Sequence, residues 1–131
     1  MSDIQPFNGG NIIDIIHQPN GLDNVKPFQK DIYLFSTHIA GTSHVENILE
    51  LEPQIIENLK VNFFREPNNQ YDSKAIVIKD SNNNKLGYVP RDKNEIISRL
   101  MDSGKIIFGK VIKKELKGNY LNIKIDVFFK D

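Results

Sequence analysis

Apolar and polar positions alternate most regularly near the end of the chain, where Leu121, Ile123, Ile125, Val127 and Phe129 are separated by Asn122, Lys124, Asp126 and Phe128. Successive side chains on a strand point to opposite faces, so this run predicts a strand with one side on a core. "KIIFGKVIKKE" before it, with a turn around Lys117 to Asn119, completes a hairpin. Further upstream, "DIYLFSTHIA" from Asp31 to Ala40 is rich in β-branched and aromatic residues and stops at Gly41, as a strand does. "NLKVNFF" alternates Leu59, Val61 and Phe63 against Lys60, Asn62 and Phe64, and "KAIVIKD" and "KLGYV" follow it around the turn "SNNN". Asparagine tolerates positive φ, which suits a hairpin turn. Three antiparallel strands are therefore expected almost without interruption.

The period changes at Asp92. Asp92 and Glu95 have the spacing of a helix N-cap and its reciprocal partner, Ile96, Ile97, Leu100 and Met101 give the apolar stripe, and Gly104 gives the stop. "GTSHVENILELEP" has roughly helical spacing at Val45, Ile48, Leu49 and Glu52 until Pro53 ends it, so a short helix or turn is expected there. Residues 1–30 hold Gly9, Gly10, Pro19, Gly21 and Pro27 around Ile12, Ile13, Ile15 and Ile16, and read as an irregular N-terminal arm with one helical turn. The rest, 31–131, reads as a mainly β (α+β) domain: five or six short antiparallel strands in a small, strongly curved sheet or barrel, with one or two helices.

Composition narrows the function. Hydrophobic residues make up 39% and charged residues 26% of 131, as in an ordinary globular domain. With no cysteine, disulfides, thiolate zinc sites and cysteine nucleophiles are excluded. No apolar run approaches the ~20 residues that span a bilayer, and "MSDIQPFNGG" has no signal-peptide character, so a cytoplasmic protein without membrane contact is expected. Seventeen basic and seventeen acidic residues cancel. Their distribution is uneven: residues 1–60 hold three lysines against eight acids, and residues 105–131 seven lysines against three acids. The basic end is suited to steering an anion, or equally to guarding a sheet edge.

Few constellations suggest catalysis. His17, His38 and His44 lie in separate segments without metal-pair spacing, and Gly9 and Gly10 do not form a phosphate loop. Ser36, Ser43 and Ser73 sit in no nucleophile-elbow signature. The chain reads as non-enzymatic, without a cofactor or metal. The stretch "REPNNQYD", Arg65 to Asp72, is different. Each residue there has an ordinary role in a turn, yet together they offer a flat ring for a base, carboxylate and amide acceptors for a hydroxyl, and a cation for a phosphate.

Three blocks, "HIAGTSH" from His38 to His44, "REPNNQYDSKAI" from Arg65 to Ile76 and "LGYVPRD" from Leu86 to Asp92, resemble the HIRAN domain family in order and spacing, over about residues 31–129. That family occurs alone in bacteria and phages and at the N-terminus of certain DNA-repair helicase-like ATPases. The resemblance implies an OB-like β-barrel that holds the 3′ end of single-stranded DNA, with an aromatic ring on the terminal bases and an aspartate on the free 3′-hydroxyl. Carried to this chain, Tyr71 becomes the stacking ring, Asp72 the hydroxyl acceptor with Asn69 assisting, and Arg91 the basic residue near the phosphates. Thr42 and His44 stand on the facing loop. Ser43 and His44 replace an arginine and a tyrosine of the DNA-binding member, which keeps a ring but removes a phosphate contact. The rival reading is a protein-protein interaction domain of the same fold without DNA binding. The partners considered are thus single-stranded DNA ends, proteins of a repair or phage system, and a weakly held second copy paired along a free strand edge.

Overall fold

The computed structural model describes residues 30–130. The arm expected over residues 1–30 therefore lies, but for Lys30, outside the described residues. Six strands, β1 (Asp31–His38), β2 (Lys60–Arg65), β3 (Ile76–Lys79), β4 (Lys85–Tyr88), β5 (Ile106–Lys117) and β6 (Tyr120–Lys130), form one antiparallel sheet in the order β1-β6-β5-β2-β3-β4. Two helices accompany them, the single turn α1 (Ile48–Leu51) and α2 (Arg91–Asp102). The fold is mainly β, a curled OB-like half-barrel, as the alternating pattern predicts.

Leu121, Ile123, Ile125 and Val127 all point inward and are at most 1% exposed. They meet Val61, Ile76, Ile78, Leu86 and Val111 from the other strands and Ile39 and Ile55 from the loops in one core. The three strands adjacent in sequence connect as expected, β2 to β3 and β3 to β4. The "SNNN" turn is built on Asp80, whose carboxylate accepts from the amides of Asn82 and Asn84 and from the Asn84 side chain, leaving Asn83 at φ 68°.

Helix α2 starts two residues earlier than its acidic residues suggest. Pro90 is the N-cap, and its carbonyl accepts from the amides of Lys93 and Asn94, so Asp92 lies inside the first turn and caps nothing with its side chain. Proline's fixed φ, here −59°, places the chain at the helix entrance without a side-chain acceptor. Glu95 is not a capping partner either; it pairs with Arg99 and Lys74. The inward face is Asn94, Ile97 and Ser98, flanked by Leu100 and Met101, and Ile96 is 67% exposed. Two of the buried positions are polar, which is why an apolar count placed the stripe off the buried face.

After β1 the chain crosses to the opposite end of the sheet. Ala40 exchanges both backbone hydrogen bonds with Tyr88, each 2.8 Å, and so ties the end of the first strand segment to β4. Gly87 makes the crossing feasible, since a Cβ there would lie 2.4 Å from the Ala40 carbonyl oxygen. This closure puts the loop after Gly41 beside the 66–75 connection and the start of α2.

Candidate functional site

The 66–75 connection is a closed loop. Its neck is the Arg65 and Ile76 pair and the Glu66 amide on the Ala75 carbonyl, 3.0 Å. Arg65 braces it from below, donating to the carbonyls of Ser73 and Ala75, each 3.1 Å, and to both oxygens of Asp102. Its donors are thereby committed to the fold, and it is not the cation that faces a ligand. Asn69 shapes the tip: its Oδ1 accepts from the amides of Tyr71 (2.8 Å) and Asp72 (3.1 Å) while Nδ2 donates to Glu66. An asparagine folding the backbone two residues on is ordinary turn chemistry. The result here is a Tyr71 ring that stands 78% exposed.

Asp72 turns the other way. Its Oδ1 accepts from the Lys74 amide at 2.9 Å, its Oδ2 accepts from the Asn94 side chain at 2.8 Å, and the Arg91 guanidinium lies 3.7 Å away. A carboxylate offers about four lone-pair sites, so two donors leave acceptor capacity on both oxygens. The Lys74 amide and then Asn94 hold the Asp72 carboxyl below its ordinary value of 3.8; burial opposes them, and the Arg91 and Lys74 charges add a smaller lowering. Glu66 behaves similarly. Burial pushes its carboxyl up, but hydrogen bonds from Asn69 and Tyr88 and the nearby Lys85 and Lys79 outweigh this and leave it below 4.5.

Because both folded values are depressed, these carboxylates contribute stability that is fully present at neutral pH and is lost as the pH falls through the depressed values. The melting temperature is expected to stay flat on acidification to about pH 5 and to drop below about pH 4. In Glu66→Gln/Asp72→Asn the acid slope should be shallower; a slope identical to the parent in thermal melts across pH would contradict the assignment.

His44, Asn69, Tyr71, Asp72 and Arg91 line one open cleft of about 660 Å³, together with Ala40, Gly41, Ala75, Tyr88, Val89 and Asn94. Arg91, the first residue of α2, keeps 75% of its side chain exposed at the cleft mouth. Thr42 is the departure. It is 1% exposed, and its hydroxyl donates to the Leu121 carbonyl at 2.7 Å, so it anchors the facing loop to β6 and does not reach the cleft. Asn94 and Tyr88 were not singled out from the sequence. Asn94 is a polar residue on the buried face of α2, three residues before Ile97, and that position is the signal that could have found it. Tyr88 donates to Glu66 at 2.8 Å and so couples the cleft wall to the loop. Among the described residues, no three His, Asp or Glu side chains gather into a metal-sized cluster.

The three sequence blocks therefore converge on one cleft, and residues 32–130 match the HIRAN domain family. This chain belongs to the HIRAN domain family. No curated protein matches it in sequence. Among solved structures, a protein from Lactobacillus plantarum superposes with TM-score 0.73 at 24% identity, covering 79% of this chain and 98% of that one. The crystal structure of the HIRAN domain of human HLTF gives 0.59 at 22% identity, covering 76% and 78%. A solution structure of the HLTF HIRAN domain in its DNA-bound conformation gives 0.52 at 22% identity, covering 77% and 79%. At these identities the likeness is one of fold. Within this HIRAN domain no helix among the described residues is long and apolar enough to cross a membrane.

Proposed function

We propose that this HIRAN domain is a non-enzymatic module that captures single-stranded DNA by its 3′-hydroxyl end, in DNA repair or replication-fork processing. The observation that carries the reading is the pairing of an exposed Tyr71 ring with the adjacent Asp72, an ionised carboxylate with unused acceptor sites. Membership in a family with a DNA-bound relative supports it. Tyr71 stacks on the terminal base, His44 offers a second ring across the cleft, and Asp72 accepts the 3′-hydroxyl. Arg91, partly neutralised by Asp72, meets the nearest phosphate. Asn69 works through the loop, positioning both Tyr71 and Asp72.

End selectivity follows from charge. A hydroxyl donates to the Asp72 carboxylate, whereas a terminal phosphate, or the next phosphate of a continuing strand, brings like charge against it. Stacking is indifferent to sequence because every base has a π-face. Fluorescence anisotropy at low salt, with 5′-labelled strands ending in 3′-hydroxyl or 3′-phosphate, is expected to show about tenfold preference for the hydroxyl, equivalent to ~1.4 kcal/mol. Equal binding of the two ends would reject end reading, and binding of neither would favour a protein-interaction domain in which the loop is structural.

A further inference from the structure

Lys113, Lys114 and Lys117 lie on β5 beyond its pairing with β2, whereas Lys110, like Lys60 and Lys79, lies within the paired sheet. Among the described residues the order β1-β6-β5-β2-β3-β4 has β1 and β4 as its outermost strands, with β5 and β6 inside. Protection of an exposed edge therefore does not account for Lys60, Lys79 and Lys110, which sit on β2, β3 and β5. Directly paired residues of antiparallel strands share a face. Pairing runs from Lys79 to Asn62, Phe108, Phe128 and Tyr33, so these residues form one row across the outer face. Lys60 and Lys110 pair in the next row, opposite Asp126, whose carboxylate already accepts from Ser36.

Rings and cations interleave along this face. Phe108 and Phe128 stack at 5.4 Å between centroids, and Tyr33 meets Phe128 edge-on at 5.9 Å. The Lys60 ammonium lies 4.8 Å from the Phe108 ring, with Lys110 at 5.5 Å from Phe128 and Lys79 at 5.5 Å from Phe64. Phe108 is buried and forms a floor, while Tyr33 and Phe64 are 55% and 45% exposed. The face reaches the cleft through Tyr88, which lines the cleft and pairs with Val77, which in turn pairs with Phe64. Lys85 caps this junction, 4.6 Å from the Tyr88 ring and donating to its hydroxyl.

We propose that this outer face is a track for the single strand that runs away from the end held in the cleft. The inference rests on the end-binding reading and adds a second surface to it. Six strands at ~4.8 Å spacing make a track of about 24 Å, and aromatic rings beside a line of lysines suit stacked bases and their phosphates. The strand is recognised by its chemistry, a polyanion with exposed π-faces, and not by its sequence.

The test compares 5′-labelled 3′-hydroxyl oligothymidines of about 3 and about 12 nucleotides, a span within the range of OB-fold site sizes, on the full chain and on Lys60→Ala/Lys79→Ala/Lys110→Ala. The unmodified protein is expected to bind the longer strand about tenfold more tightly. The triple variant should lose most of that gain, and its log affinity should fall with log salt by about 2 less, at ~0.7 per lost phosphate contact. Its preference for hydroxyl over phosphate should persist, which also shows that it is folded. A full length gain in the variant overturns the track, as does an unmodified protein indifferent to length, which would leave the face to a protein partner. If the unmodified protein does not distinguish the two ends, the cleft reading fails alone, and the length comparison still decides the track.

Discussion

Replacing Tyr71 by alanine is expected to weaken single-stranded DNA binding by roughly 5- to 150-fold, the equivalent of the ~1–3 kcal/mol that one stacked base contributes. The ring is 78% exposed, so its removal should leave the melting temperature unchanged within the ordinary range of a surface substitution. Asp72→Asn gives a different signature. The amide keeps the shape and one acceptor oxygen but loses the charge, so hydroxyl-ended DNA should bind more weakly while phosphate-ended DNA binds as well or better. The two titrations of each variant separate the roles: Tyr71→Ala lowers both curves and keeps their ratio, and Asp72→Asn brings them together. Unchanged curves for both variants, in folded protein, would end the case for this cleft.

A larger effect on folding is expected from Gly87→Ala. The added methyl would sit 2.4 Å from the Ala40 carbonyl oxygen and 2.5 Å from the Ile39 Cγ2. One of these is backbone and the other belongs to a residue 1% exposed, so neither yields easily. Relief requires β4 to move off the 39–40 segment, at the expense of the paired 2.8 Å hydrogen bonds between Ala40 and Tyr88. Overpacking with the loss of such bonds costs about 3 kcal/mol, and in a domain of about 100 residues this lowers the melting midpoint by roughly 10–20 °C. DNA binding should fall with it, because Ala40, Gly41, Tyr88 and Val89 form one wall of the cleft. Gly118→Ala is the control. Its methyl meets nothing within 4 Å and suffers only the strain of φ 61°, about 1–2 kcal/mol. Equal melting shifts for the two variants would mean that closure by close approach is not what Gly87 supplies.

The alternation from Leu121 to Phe129 was legible because burial on one face of a strand is a local, period-two property. Helix α2 was legible as a helix but not in its facing. Asn94 and Ser98 occupy inward positions that an apolar count assigns outward, and the partner of the buried Asn94 amide is Asp72, on the 66–75 loop. Thr42 failed for a similar reason: its partner is the Leu121 carbonyl, 79 residues away in sequence, and nothing around Thr42 announces it. Family likeness located His44, Asn69, Tyr71, Asp72 and Arg91, which the fold then gathers in one cleft. The row from Lys79 to Tyr33 was invisible from the chain, although every lysine and ring could be counted. It depends on β2 lying beside β5, a pairing between distant segments that no local pattern encodes.

Arg65 lines neither the cleft nor the outer row, yet it has a kinetic consequence for the cleft. By tying the neck of the 66–75 loop to two carbonyls and to Asp102, it brings Tyr71 and Asp72 into place when the domain folds rather than when a ligand arrives. A receptor set in this way loses little conformational entropy on association, and its rate of capture depends on diffusion and charge instead of on waiting for a loop to order. On the proposed end-capture function, Arg65 would thus bear on how quickly a transient DNA end is caught, without contacting it.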